Sequence, residues 1–297
     1  MGILLAEAAK LSTDILLKGV METIVKDSPI LEKLPFIEIV GNALTYNREL
    51  TLPVITFYDP NDAWSAETPP TFTQVSATLK ILGANADVDN YIRQTRSNVQ
   101  DVEAVVIELN AKALRHKFED TFINGSGTSK TFEGIDVICQ GTGRTLSMGT
   151  NGAALSLTML DELIDMVLGG KPDMLLMSRR SRRGLNQLSR VAGSYLQTDR
   201  NEWGRFIELY NGIPVEVNDW IADNKVVGTS SDCSTIYAFQ MGEGNLCGLS
   251  GPGAIQVERI GQLEGYNASR TRIKWYASIA LFSAVKCARL IGVRPVA

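Results

Sequence analysis

Two spacings of apolar residues take turns along this chain. Leu4, Ala8, Leu11 and Ile15 recur at helical intervals, with Glu7, Lys10, Asp14 and Lys18 on the other positions of the same turns. That spacing predicts a short amphipathic helix over 4–18. A second apolar pattern, Ile24, Ser28, Leu31 and Leu34, is interrupted by Pro29 and ended by Pro35. Segments this short are marginal helices in water, so both need another surface, either their own body or a neighbour.

The period then changes to two. Leu44, Tyr46, Arg48 and Leu50 alternate within an extended stretch over 44–58, and Pro53 limits how central that strand can be. The turn-rich segment DPNDAWSAETPP follows at 59–70. Alternation resumes at 72–82, with Val75, Ala77, Leu79 and Ile81 on one face and Ser76, Thr78 and Lys80 on the other. Two alternating arms around a polar tip predict a long β-hairpin. Its arms are too thinly apolar to form a core, so the hairpin is expected to be an excursion lying on something else.

The longest helical pattern runs over 98–123. Val99, Val102, Val106, Leu109 and Ala113 set the spacing, and Phe118 and Phe122 continue the apolar surface. It predicts a rod of about 39 Å, capped by Asn98 and stopped by Gly125 and Gly127. Beyond a Gly, Thr and Asn-rich loop at 141–153, helices and strands alternate. Thr158 is expected to cap a helix holding Leu160, Leu163, Ile164 and Val167, ended by Gly169 and Gly170. MLLM at 174–177 reads as a buried strand, and Ser178 as the cap of a helix through Val191. FIELY and IPVEV around Asn211-Gly212 read as a hairpin with a type I′ turn. Further strands are expected at 235–241, 255–260, 270–281 and 284–291, and no fixed-period repeat is present.

Composition narrows the function classes. The chain has 297 residues, 44% hydrophobic and 21% charged, which is ordinary globular usage and enough length to bury a core without metal or disulfides. A net charge of −4 gives no support to a nucleic-acid binder. Cys139, Cys233, Cys247 and Cys287 show no C-x-x-C spacing, so they are expected to be buried free thiols in a reducing cytoplasm. No run of about 20 apolar residues suggests a membrane span. The start MGILLAEAAK lacks a basic n-region and a cleavage site, and Ala6 stands where a myristoylation motif needs Ser or Thr.

Catalytic chemistry finds little to stand on. The sole histidine, His116, falls mid-helix, and no Ser-His-Asp or Cys-His set, metal site or cofactor site can be built. GSGTSK at 125–130 follows a helix and lacks the spacing of a phosphate loop. Asp161, Glu162 and Asp165 read as the outer, N-terminal charges of a helix. Arg179, Arg180, Arg182 and Arg183 form the most basic patch. It could hold an anion, but without interleaved aromatics it reads first as a solvated face or a set of ion pairs between subunits. Trp64, with Glu67 and Pro69 in the same polar tip, is a candidate contact between subunits. The competing reading has Trp64 folding back on its own hairpin. Leu4, Leu11 and Ile15 are candidate contacts of the same kind.

In order and spacing these parts resemble the tailed-bacteriophage major capsid proteins of the Hong Kong 97-type fold, over nearly the whole chain. SPILEKLPFIEIVGNALTYNRE resembles the family's N-terminal arm entering its extended loop. FINGSG followed by EGI at 133–135 resembles the end of its spine helix and the next turn. KPDMLLMS, a helix and NGIPVEVND resemble the axial domain, and IKWYASIALFSAVKCARLIGV the return to the peripheral domain. The resemblance implies an α+β subunit with an N-terminal arm (1–43), an extended loop or E-loop (44–95), a peripheral domain with a spine helix (96–153), an axial domain (154–262) and return strands (263–297). It implies a structural protein of the virion, assembled in the host bacterial cytoplasm into pentamers and hexamers around double-stranded DNA that is bound without sequence specificity. A separate scaffolding protein, a portal and decoration proteins are the implied partners, with no membrane and no cofactor. The E-loop and the arm would each lie on a neighbouring subunit. The hairpin tip 59–70 contains no lysine, and Lys80, expected to face solvent, lies far down the returning arm, so the covalent cross-linking of some members is not expected. An encapsulin-like shell that packages an enzyme is the alternative within the fold, with 4–18 as a cargo-binding helix. An α/β enzyme built on 155–260 is the alternative outside it, and it lacks the Gly-rich strand-to-helix turn it would need.

Overall fold

The computed structural model describes residues 29–51, 53–64, 69–96, 102–128, 130–193, 196–200 and 206–295. Helix α1 (Pro29–Lys33) leads into β1 (Phe36–Glu38), and β2 (Ala43–Thr51) pairs antiparallel with β3 (Thr71–Thr78). Pro29 therefore opens a helix where the sequence pattern suggested an interruption. The first turn needs no N–H donor from it, and its fixed φ suits that position. The helix expected over 4–18 lies outside the described residues.

After β3 comes β4 (Lys80–Asp89), then α2 (Asn90–Arg96) and the long helix α3 (Val102–Asn124). α3 carries the expected apolar surface, and Leu114, Phe118, Phe122 and Ile123 are buried along it. Asn98, its expected cap, lies outside the described residues. The chain turns sharply after Asn124, where the Gly134 N–H donates to the Gly125 carbonyl at 2.8 Å. Neither glycine could carry a Cβ there without meeting backbone, which accounts for Gly125 at the helix stop, and Gly127 follows at positive φ.

A short α4 (Ile135–Gly141) precedes β5 (Thr145–Ser147), β6 (Ala153–Ala154) and α5 (Leu157–Asp165). The cap position of α5 is Ser156, not Thr158, so the helix begins two residues earlier than its sequence suggested. β7 (Met174–Met177) and α6 (Arg179–Val191) fall where expected, and the Ser178 hydroxyl accepts from the Ser181 N–H. β8 (Gln197–Arg200), β9 (Phe206–Tyr210) and β10 (Ile213–Val217) follow, with Asn211 and Gly212 both at positive φ in the expected turn. The chain closes with β11 (Lys225–Val227), β12 (Ser230–Phe239), β13 (Leu246–Gln262), β14 (Ala268–Leu281) and β15 (Cys287–Arg294).

Among the described residues these strands form three sheets. One orders β5-β15-β12-β7-β10-β9-β8, with β11 and β6 attached; a second orders β1-β13-β14-β4; the third is the β2-β3 ribbon. In the first sheet β7, β12 and β15 are buried on both faces. Leu175, Met177, Ile236, Ala238, Ala288 and Leu290 meet the helices α5 and α6. Met174, Leu176, Tyr237 and Phe239 turn the other way, toward α3 and α4. Burial on both sides is why these strands read as continuous apolar runs without a period.

The second sheet presents Ile273, Trp275, Ala277 and Ile279 to α3. Its other face, through Leu249 and Ala280, packs on the base of the β2-β3 ribbon at Leu44, Tyr46 and Ala77. The passage from β3 to β4 corrects an expectation. The chain leaves the ribbon at Leu79, whose N–H donates to the Asn42 carbonyl, and pairs with β14 from the next residue, Lys80 opposite Ala277. A one-residue break moves every later side chain to the other face. Ile81 is consequently 77% exposed while Lys80 is half-buried, the reverse of the single alternation expected over 72–82.

The cysteines correct another. Cys139 on α4 and Cys287 on β15 form a disulfide across 148 residues of chain, and only Cys233 and Cys247 are free, both buried. Sequence spacing cannot disclose a pair brought together by packing.

Candidate assembly surfaces

The hairpin has a fastened base and an uncovered end. At the base, the Arg48 guanidinium donates from Nε and Nη2 to the Leu281 carbonyl, at 2.8 and 2.5 Å. The Tyr46 ring packs 4.7 Å from Phe282, and burial raises the pKa of its phenol. Further out that support ends. Beyond Pro53 the chain has no regular structure up to Trp64 apart from a turn at 60–61. Val54, Ile55 and Phe57 stand exposed there, with Phe72 on the returning arm; Ile55 is 90% exposed and Phe57 fully so.

Trp64 stacks on Tyr58 with ring centroids 4.6 Å apart, yet stays 82% exposed. The reading in which it folds back on its own tip is met by this stacking, while most of its indole faces solvent. Pro69 is exposed, whereas Glu67, Leu4, Leu11 and Ile15 lie outside the described residues. Val54, Ile55 and Phe57 were not singled out in the sequence. The apolar run V-I-T-F-Y between two prolines was the available signal. Lys80 is not the solvent-facing residue expected: it lines a cavity of about 260 Å³ behind the hairpin base, with Tyr46, Arg48 and Glu133.

Half of the arginine patch at the start of α6 is paired within the chain. Arg179 makes a two-pronged pair with Asp219 at 2.5 and 2.9 Å, which raises the arginine's pKa. Arg180 donates to the Asp232 carbonyl at 2.7 Å and lies 3.5 Å from Asp223. Arg183 is exposed and Arg182 half-buried. Two of the four, Arg179 and Arg180, are therefore paired within the subunit. Asp161, Glu162 and Asp165 are exposed on α5 as expected, and the Tyr210 hydroxyl donates to Asp161 at 2.8 Å.

The strongest electrostatic feature was not foreseen. Asp136 on α4 receives Lys225 at 2.9 Å, Arg289 at 2.7 Å and the Tyr237 hydroxyl at 2.9 Å. Burial pushes the Asp136 carboxyl upward, but Lys225 and Arg289 outweigh it and its pKa is lowered. The Tyr237 phenol is pushed well up by burial and then by the carboxylate. Tyr237 and Arg289 are cross-strand partners, so the cluster ties α4 to β11, β12 and β15. His116 sits on α3 with its ring 6.2 Å from Trp220, and no group of residues suited to holding a metal occurs among the described residues.

A body with a buried core and a hairpin whose far end bares apolar residues has the form of a subunit completed by other copies. The Phage capsid family matches residues 13–257, and the chain belongs to that family. It is a structural subunit of a phage head shell. No curated protein matches the sequence. Among solved structures, the holo encapsulin complex of Synechococcus elongatus PCC 7942 is similar with a TM-score of 0.71 and 16% identity, covering 93% of this chain and 95% of that one. The capsid of cyanophage A-1(L) is similar at 0.67 and 12% identity, covering 91% and 93%. Mycobacterium phage Adephagia is similar at 0.63 and 13% identity, covering 100% and 99%. At such identities the likeness is one of fold, and the fold is the Hong Kong 97 type expected from the sequence. No described helix is long and apolar enough to cross a membrane.

Proposed function

We propose that this subunit closes into pentamers and hexamers around a double-stranded DNA genome, with the β2-β3 hairpin lying over a neighbouring copy as an E-loop. The observation that carries this reading is the exposed set Val54, Ile55, Phe57 and Trp64 beyond a firmly anchored base. Aromatic and aliphatic side chains left bare at one end of a subunit mark a contact surface. In this reading α3 is the spine helix, the β1-β13-β14-β4 sheet belongs to the peripheral domain, and the sheet centred on β7 and β12 forms the axial domain. Scaffolding, portal and decoration proteins act as separate chains, and assembly takes place in the host bacterial cytoplasm. The arginine patch, with Arg179 and Arg180 paired internally, contributes no sequence-specific DNA contact.

Negative-stain microscopy of particles purified after expression, with their nucleic-acid content, tests the proposal. Closed shells with pentameric and hexameric units support it; a protein that stays monomeric at high concentration contradicts it. The TM-score of 0.71 with an encapsulin complex keeps a second reading, a shell around an enzyme cargo. Particles from the native source that hold a protein and no DNA would favour that reading.

A further inference from the structure

An apolar groove of about 520 Å³ opens beside the long helix, on the side of the β1-β13-β14-β4 sheet away from the hairpin. Its floor is Trp275 and Ile255, and its walls are Leu31 of α1, Phe36 of β1 and Leu114 of α3. The groove exists because cover runs out there. β1 pairs with β13 only from Gly248 to Ser250, and Ile255, opposite Trp275 beyond a bulge at 251–254, is left half-exposed. The rim carries Glu108, Lys112 and Arg115 from α3, with Lys112 paired to Glu108 at 3.3 Å.

We propose that the amphipathic segment 4–18 of the same chain seats its apolar stripe in this groove. The stripe Leu4, Ala8, Leu11 and Ile15 occupies about 60° of a helical wheel, with Lys18 beside it and Glu7 and Asp14 next on the same side. A narrow apolar stripe between polar flanks suits an apolar trough with a polar rim. A helix of about 15 residues is marginal alone and takes its stability from a docking face. The tether also fits. Residues 19–28 separate the segment from α1, whose Leu31 is already a wall, and ten residues reach up to roughly 33 Å. A tether that short holds the segment near its groove at about millimolar effective concentration. This arrangement differs from the crossing onto a neighbour that the family resemblance implies, and it does not rest on shell formation.

The test joins the two partners in the full chain. Leu11→Cys with Ile255→Cys is compared with Lys10→Cys with Ile255→Cys, oxidised in an equimolar mixture of isotopically heavy and light subunits. Cys233 and Cys247 are buried and Cys139 is bonded to Cys287, so the introduced thiols are the accessible ones. The Leu11 pair is expected to link at several-fold higher yield than the Lys10 pair, within copies of one label only. Equal yields overturn the proposal, and heavy–light linked peptides overturn it in favour of a neighbouring copy. Hydrogen exchange of the unsubstituted, dissociated subunit gives an independent reading. Amides of 4–18 are expected to exchange at least tenfold more slowly than those of 19–28, and equally fast exchange overturns the proposal.

Discussion

The central strands β7 and β12 and the hairpin β2-β3 are both antiparallel-rich ladders, but they are stabilised by opposite means. β7 has all four residues buried, with α5 and α6 on one face and α3 and α4 on the other. Its order is set inside one subunit. The hairpin is held only near Tyr46 and Arg48, and its apolar residues lie at the far end in solvent. Burial of apolar surface contributes roughly 25 cal/mol per Å². Ile55 and Phe57 contribute almost none of it within the monomer, and they can do so only against another molecule. Under the proposed function, the comparison separates residues that make the subunit from residues that make the shell.

Four substitutions probe that division, from the largest effect to the smallest. Phe118→Ala, at a fully buried ring contacting Phe36, Phe132 and Trp275, is expected to cost the monomer about 3–5 kcal/mol in denaturant unfolding. Asp136→Asn leaves the mostly buried Arg289 without its carboxylate and is expected to cost about 1–3 kcal/mol. The same pair has a pH signature. The folded-state pKa of Asp136 is lowered, so its contribution is complete above the ordinary carboxylate range and lost as pH falls through the lower folded value. Acid titration of stability should be shallower in the Asn variant than in the parent.

Arg48→Ala removes two bonds to the Leu281 carbonyl and is expected to cost about 1–2 kcal/mol. Hydrogen exchange should quicken over 43–51 and 71–78 and stay unchanged in β7 and β12; uniform quickening would mean that the hairpin and body unfold as one unit. Trp64→Ala should change monomer stability by less than about 0.5 kcal/mol and yet weaken assembly, read as shell yield in sedimentation. Unchanged shell yield would remove Trp64 from the contact.

Much of this architecture was legible in the sequence because it rests on local rules. MLLM, the Ser178 cap and the Asn211-Gly212 turn each specify their element through neighbouring residues, and all three stand where expected. What escaped was set by packing between distant segments. The Cys139–Cys287 bond, the Asp136 cluster and the Asp87–Arg270 pair at 2.6 Å join residues 89–183 positions apart. No spacing rule reaches that far. The reversal at Leu79 escaped for a related reason: one alternating run is divided between two sheets, and the division depends on what each half meets. For the proposed assembly surface, Trp64 was legible as an aromatic in a polar tip. Ile55 and Phe57 were hidden because an apolar run inside a strand pattern normally points inward.

The central claim is that the hairpin's apolar end belongs to the shell and not to the subunit. The double substitution Ile55→Asp with Phe57→Asp tests it most directly, with monomer thermal unfolding and shell yield measured on the same preparation. The account predicts an unfolding midpoint within about 2 °C of the parent, since surface changes away from packed features are worth less than about 0.5 kcal/mol, together with loss of closed shells. Shells formed at parental yield by a monomer of parental stability would contradict it.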